Sequence, residues 1–196
     1  MIPRRAITRF APLCLALAVG CASPSRLYVN SEADMAFYEK VAVLPFTNLS
    51  GQAYAGERVT RAFVTELVIA EHFQIVDPGE FRAVLDRTGT LPSGEGTYDP
   101  KKLKNAATEV GATGMIRGAV TEYEMQRGSS GGETPILAFE VELVDVSTGT
   151  IVWRSSVSKR GKGRTPVIGG GGTRTLSRLT QDACRELVDR IGSEAY

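Results

Sequence analysis

The residue types able to do chemistry are few in this chain of 196 residues: three cysteines and one histidine. Cys14 and Cys21 lie in the first stretch, and Cys184 lies near the end. No HExxH and no CxxC occurs, and a lone histidine without a thiolate or a second imidazole is a poor metal site. His72 can serve a nucleophile as base only if one stands beside it, and nothing in the sequence places one there. It reads as a surface residue at the end of a helix. Gly161-Lys162-Gly163-Arg164 and the tract Gly169 to Gly172 before a helix hint at phosphate binding, but they break the G-x-x-x-x-G-K-[S/T] pattern that a phosphate loop needs. Glu140 and Glu142 alternate on a strand and read as its solvated face. Cys184 shares a helical stripe with Thr180, Leu187, Val188 and Ile191, and reads as a small buried hydrophobe. No catalytic set emerges, and an enzyme is not expected.

Cys21 has a different setting. Arg4, Arg5 and Arg9 precede a short apolar run, Ala11 to Val19. That run falls short of the roughly 20 apolar residues of a spanning helix and fits a cleaved export signal. It ends in Leu17-Ala18-Val19-Gly20-Cys21, which resembles the lipobox of bacterial lipoproteins, with Ala18 where most carry leucine. The resemblance implies cleavage before Cys21 and acylation (palmitate included) of its thiol, a covalent lipid in a chain otherwise expected to have no cofactor. Each buried methylene adds about 0.8 kcal/mol, so several chains anchor firmly. Ala22, not aspartate, follows the cysteine, which implies the periplasmic face of the outer membrane. Removing residues 1–20 takes away three arginines and no acid, turning the formal charge of +1 into −2 and leaving 176 residues. That balance does not suggest a nucleic-acid binder.

The elements that must carry these residues follow from periodicity. Residues 21–39 read as a lipidated tether of roughly 60 Å full reach, shortened if Met35, Phe37 and Tyr38 pack onto the domain of residues 40–196. The run 41–46 (VAVLPF) is apolar throughout and fits a strand covered on both faces. A helix over 56–70 has Val59, Ala62, Phe63, Leu67 and Ala70 as its inner stripe. After a strand at 73–76, Asp77-Pro78-Gly79-Glu80 is a helix start with a cap, a first-turn proline and a capping-box glutamate. Phe81, Val84 and Leu85 form its buried side. Asp99-Pro100 repeats the signal, Leu103, Ala106, Ala107 and Val110 line that helix, and Gly111 ends it. Strands follow at 113–124, at 136–146 with Leu137, Phe139, Val141 and Leu143 inward, and at 150–158 with Ile151, Trp153 and Val157 on one side. A helix over 175–191 closes the order β-α-β-α-α-β-β-β-α. This predicts a single α/β domain, a mixed sheet of four to five strands flanked by helices.

In order and spacing, VAVLPFTNLSG (41–51), FQIVDPGEFRAVL (73–85), GATGMIRGAVTEYE (111–124) and VELVDVSTGTIVWRSSVSKRG (141–161) resemble the domain shared by the curli-secretion lipoprotein CsgG and the penicillin-binding protein activator LpoB. The resemblance covers residues 39–192. It implies a periplasmic, non-enzymatic binding or assembly module of an envelope complex, with an envelope protein as partner, the membrane as anchor and a homo-oligomer as one arrangement. The alternative it implies is a subunit of a CsgG-like oligomeric secretion channel. Membrane-crossing strands need about 9–11 alternating residues each. Residues 126–134 are too short and polar for such a pair, and 159–173 are basic and Gly-rich. In that second segment Lys159, Arg160, Lys162 and Arg164 are candidate contacts for an acidic partner, lipid headgroups or another anion.

Overall fold

The computed structural model describes residues 26–90, 98–127, 132–161 and 175–195. These form one mixed sheet of seven strands and four α-helices. The strands are β1 (Leu27–Val29), β2 (Lys40–Val43), β3 (Thr47–Asn48), β4 (Gln74–Ile75), β5 (Gly114–Arg127), β6 (Glu133–Asp145) and β7 (Ile151–Arg160). The helices are α1 (Ala55–Ala70), α2 (Pro78–Arg87), α3 (Pro100–Glu109) and α4 (Leu176–Ala195). The sheet order is β1-β7-β6-β5-β2-β4, with β3 continuing beside β5 beyond β2. β2 and β3 run parallel to β5, and β5, β6 and β7 form an antiparallel meander.

The expected element order is present. Two strands enlarge the sheet beyond the expected count: β1, of three residues, and β3, of two. Runs so short carry no readable alternation, and only pairing with β7 and β5 defines them. β1 lies within the stretch read as tether. So does a 3-10 turn at Met35–Phe37, capped by Asp34 accepting from the Ala36 amide at 3.1 Å. Met35 and Tyr38 are buried, whereas Phe37 is exposed and stacks edge-on against Tyr38.

β2 holds the layers together. Val41 and Val43 face one apolar cluster, formed with Val59, Phe63 and Leu67 of α1 and Leu187 and Ile191 of α4. Ala42 and Leu44 face the other, formed with Phe81 and Leu85 of α2 and Leu103 and Ala106 of α3. The uninterrupted apolar run is thus explained by helices on both faces. Both expected N-caps form: Asp77 accepts from the Glu80 amide at 2.9 Å, and Asp99 from the Lys101 amide at 2.9 Å. Gly111 ends the third helix with φ +68°.

Two bulges set which residues face which layer. One leaves Thr121 of β5 unpaired, so Val120 and Tyr123 both reach the α1/α4 layer. The other, opposite Leu143 and Val144, leaves Val152 unpaired. Strict alternation puts Ile151 beside Trp153. The bulge corrects this: Ile151 packs with Val144 against the α2/α3 layer, while Trp153 enters the α1/α4 layer. An extra residue reverses the side of every residue beyond it.

The α1/α4 layer closes over a bare stretch of β5. A Cβ at Gly118 would lie 2.6 Å from the Glu140 carbonyl oxygen and 3.1 Å from the Phe46 ring. Phe46 uses that space to meet Phe63 at 5.5 Å and Phe139 at 6.3 Å between ring centroids. We expect Gly118→Ala to lower unfolding free energy by about 1–3 kcal/mol, since backbone cannot yield to the added methyl. Gly132→Ala, where a Cβ meets nothing within 4 Å, is expected to stay within about 0.5 kcal/mol of wild type. Urea denaturation of both variants is the measurement, and equal midpoints would contradict the packing argument.

Candidate interaction surface

The turn between β6 and β7 is built around one carboxylate. Gly149 takes φ +76°, which a tight return requires. Asp145 Oδ1 accepts from the Ser147 hydroxyl at 2.6 Å and the Thr148 amide at 2.7 Å. Tyr38 donates its hydroxyl to Asp145 Oδ2 at 3.0 Å, across 107 positions of sequence. Burial acts to raise the Asp145 pKa, but the hydrogen bonds from Ser147, Thr148 and Tyr38 outweigh it and hold the carboxyl below its ordinary value. Burial first, and then the hydrogen bond to Asp145, pushes Tyr38 up to about 12. At neutral pH the aspartate is charged and the tyrosine neutral. The pair is a pin between the N-terminal segment and the turn, with no proton poised for transfer.

Of the basic residues read from sequence, two lie on β7 among the described residues. Cys21, Lys162 and Arg164 lie outside the described residues. Lys159 and Arg160 are successive strand residues and point to opposite faces. Lys159 turns onto α4, pairing with Glu186 at 2.7 Å and donating to the Asp182 carbonyl at 3.2 Å. Glu186 also binds Arg190 at 2.7 Å, and Arg190 donates to Ser155 Oγ at 2.6 Å. Ser155 in turn donates to the Arg26 carbonyl at 3.0 Å, so the network ties α4, β7 and β1 together. Arg160 is exposed and donates to the Gln126 side chain.

The open surface lies on the other side. Among the described residues, helices α2 and α3 cover only one end of their sheet face, and the rest presents a ladder of charge. Arg117 of β5 pairs with Glu142 of β6, and Arg154 of β7 pairs with Glu140 at 2.7 Å and reaches Glu142 at 3.8 Å. Beside it a cleft of about 580 Å³ runs between α3 and the β6–β7 turn, lined by Tyr98, Leu103, Lys104, Met115, Arg117 and Thr148, among others. Lys104 closes the rim by donating to the Ser147 carbonyl. Burial raises the Tyr98 phenol, against the opposing charge of Arg82. Each arginine of the ladder already has a carboxylate, so the surface offers matched charge to a protein partner more readily than a pocket for a free anion. Glu140 and Glu142, read as a solvated pair, are these cross-strand partners. Their arginines come from strands whose register the sequence does not state.

Cys184 is fully buried, its Sγ 3.9 Å from the Val59 carbonyl, and burial together with nearby Glu66 pushes its thiol far up. His72 is half-buried after α1 and packs on Gly192 of α4, where a Cβ would overlap the imidazole. Among the described residues no group of histidine, cysteine or carboxylates is arranged to hold a metal ion, and no helix is long and apolar enough to cross a membrane.

Residues 25–158 match the family described as peptidoglycan-synthase activator LpoB. No curated protein is significantly similar in sequence. In fold, the chain is similar to a PelC dodecamer subunit from Paraburkholderia phytofirmans, at 20% identity and TM-score 0.58, covering 86% of this chain and 98% of that one. It is also similar to lipoprotein GNA1162 from Neisseria meningitidis, at 16% identity and TM-score 0.55, covering 76% and 98%. The hypothetical protein CT253 from Chlamydia trachomatis follows at 12% identity and TM-score 0.51, covering 80% and 96%.

The Asp145 pin has a pH signature. A carboxyl depressed in the folded state stabilises above its unfolded pKa, here 3.8, and loses that contribution as pH falls through the lower folded value. Asp145→Asn is expected to cost about 1–3 kcal/mol at pH 7. The gap to wild type should shrink as pH drops below 4. Thermal melts of both proteins from pH 7 to pH 3 test this, and a gap independent of pH would refute it.

Proposed function

The chain belongs to the LpoB family of peptidoglycan-synthase activators, and from that membership we propose that it is an outer-membrane lipoprotein, anchored through Cys21, that acts by binding a synthase or another envelope protein at the periplasmic face. The family match over residues 25–158 carries the reading. It is supported by the export signal and lipobox-like stretch that end only four residues before the match begins. Ala22 after the cysteine supports the outer membrane. The matched charges beside the α3 cleft suit contact with a protein. In this reading the chain catalyses nothing, and the acyl chains on Cys21 are its sole non-protein group.

A second reading is a subunit of an oligomeric ring, of which a CsgG-like secretion channel is one form. The PelC dodecamer is the observation that favours it. Arg160, with Lys162 and Arg164, is in either reading the contact proposed for an acidic partner.

Cross-linking in intact cells, affinity purification and mass spectrometry are expected to recover a peptidoglycan synthase or another envelope protein with the lipidated chain. Recovery of the chain alone would sink the binding reading. Recovery only of further copies, with a ring mass by native mass spectrometry, would replace it with the second. Arg160→Glu is expected to lower capture at low salt, and unchanged capture would remove that contact. Globomycin should block processing before Cys21.

A further inference from the structure

Among the described residues β4 is the last strand of the sheet at its side, and its outer edge is open. Gln74 and Val76 donate their amides to the carbonyls of Glu39 and Val41, at 2.7 Å and 2.9 Å, so both turn toward β2. Successive strand residues present their backbone groups to opposite sides. The amides and carbonyls of Phe73 and Ile75 therefore point away from β2, to a side that no strand among the described residues occupies. Such a row of backbone groups is a template for another extended chain.

A groove of about 690 Å³ lies against this strand. All of β4 lines it, together with Val68 of α1, Glu71, and Met35 and Glu39 before β2. Apolar side chains stand open around it. Val68 is 56% exposed, and Ile69, next along α1, is 67% exposed. Phe37, between the lining residues Ala36 and Tyr38, is 57% exposed. Apolar surface of this kind, rimmed by polar residues, marks a contact site.

The rim is acidic. Glu39 and Glu71 are exposed, and none of the ion pairs among the described residues takes either of them. From residue 62 to residue 81 the sequence holds Glu66, Glu71, Asp77 and Glu80 but neither lysine nor arginine. Glu66 is bound to Arg185, and Asp77 caps α2. The imidazole of His72, which also lines the groove, packs on Gly192 of α4.

A strand added at this edge turns alternate side chains toward the α1 layer, which Phe73 and Ile75 also face. There it meets Val68 and Ile75, and apolar residues fit. Where it passes Glu39 and Glu71, lysine or arginine meets opposite charge. We propose that the open edge of β4 and the groove beside it receive an extended segment of a partner protein, apolar at alternate residues and basic beside Glu39 and Glu71. Backbone pairing supplies the contact, and the acidic rim selects the segment. The inference rests on the reading that this chain works by binding a protein, and it gives the chemistry of what is bound.

The test uses the full chain, purified from membranes in detergent, with two probes: a short peptide alternating valine and lysine, and one alternating valine and glutamate. Hydrogen exchange read by mass spectrometry is expected to slow several-fold over residues 72–76 with the lysine peptide and to stay unchanged with the glutamate peptide. With Glu39→Lys and Glu71→Lys together the preference is expected to reverse, and a thermal melt matching wild type checks that this variant folds. Protection by neither peptide, equal protection by both, or protection over β1 in place of β4 overturns the proposal. Slowing over residues 72–76 that grows with protein concentration, without peptide, makes the occupant a second copy and overturns the choice of partner. Cross-linking in cells separates this proposal from the reading beneath it. An envelope protein captured equally by wild type and by the doubly reversed variant leaves the binding reading standing and overturns this edge as its site. Peptide protection with no envelope protein captured by wild type overturns the binding reading and supports the chemistry of the groove.

Discussion

The parallel pairing of β2 with β5 beneath two apolar layers is the constraint on which the rest of the structure depends. A strand buried on both faces must satisfy its backbone within the sheet, and it does so through β4 on one side and β5 on the other. Its side chains Val41, Ala42 and Val43, with Leu44 just after it, are alternately given to two helix pairs. Full burial of each valine or leucine contributes about 1.5–3 kcal/mol, and losing either layer would leave half of them in water. The long antiparallel meander then grows from β5 as a broader platform, covered fully on one face and only at one end on the other.

That asymmetric cover gives the two faces of the sheet different surfaces among the described residues. The α1/α4 face is occupied by the aromatic packing of Phe46, Phe63 and Phe139, and its charged rim is consumed by Lys159, Glu186 and Arg190 holding α4 to β7. Among the described residues the opposite face is covered at one end only. There the arginines and glutamates of β5, β6 and β7 neutralise one another across the strands, leaving a surface of alternating charge beside the α3 cleft. A body of this kind acts by fitting another surface, in keeping with membership of an activator family. The Tyr38–Asp145 pin ties the segment between β1 and β2 to the β6–β7 turn, so that segment is part of the folded body.

Much of this was legible in the residues alone. Period 3.6 marked the inner stripes of α1 to α4, the Asp-Pro pairs marked two helix starts, and the all-apolar run of β2 announced cover on both sides. These are local signals, each written within one turn or one strand, and they also identified the family resemblance that the match over residues 25–158 supports. Cys184 read as buried because its helical neighbours at i−4, i+3 and i+4 are apolar or small, and it is.

What only the tertiary structure decided were the relations between distant elements. β1 and β3 exist because longer strands offer them an edge, so nothing in their own residues declares them. The bulges at Thr121 and Val152 shift the register by one and send Ile151 away from Trp153, a choice made by cross-strand packing and invisible to alternation. Lys159 and Arg160 part because neighbouring strand residues face opposite sides. Composition and periodicity determined the layers. The third dimension determined which charges meet and which layer each strand residue faces, because those depend on pairings between residues tens of positions apart.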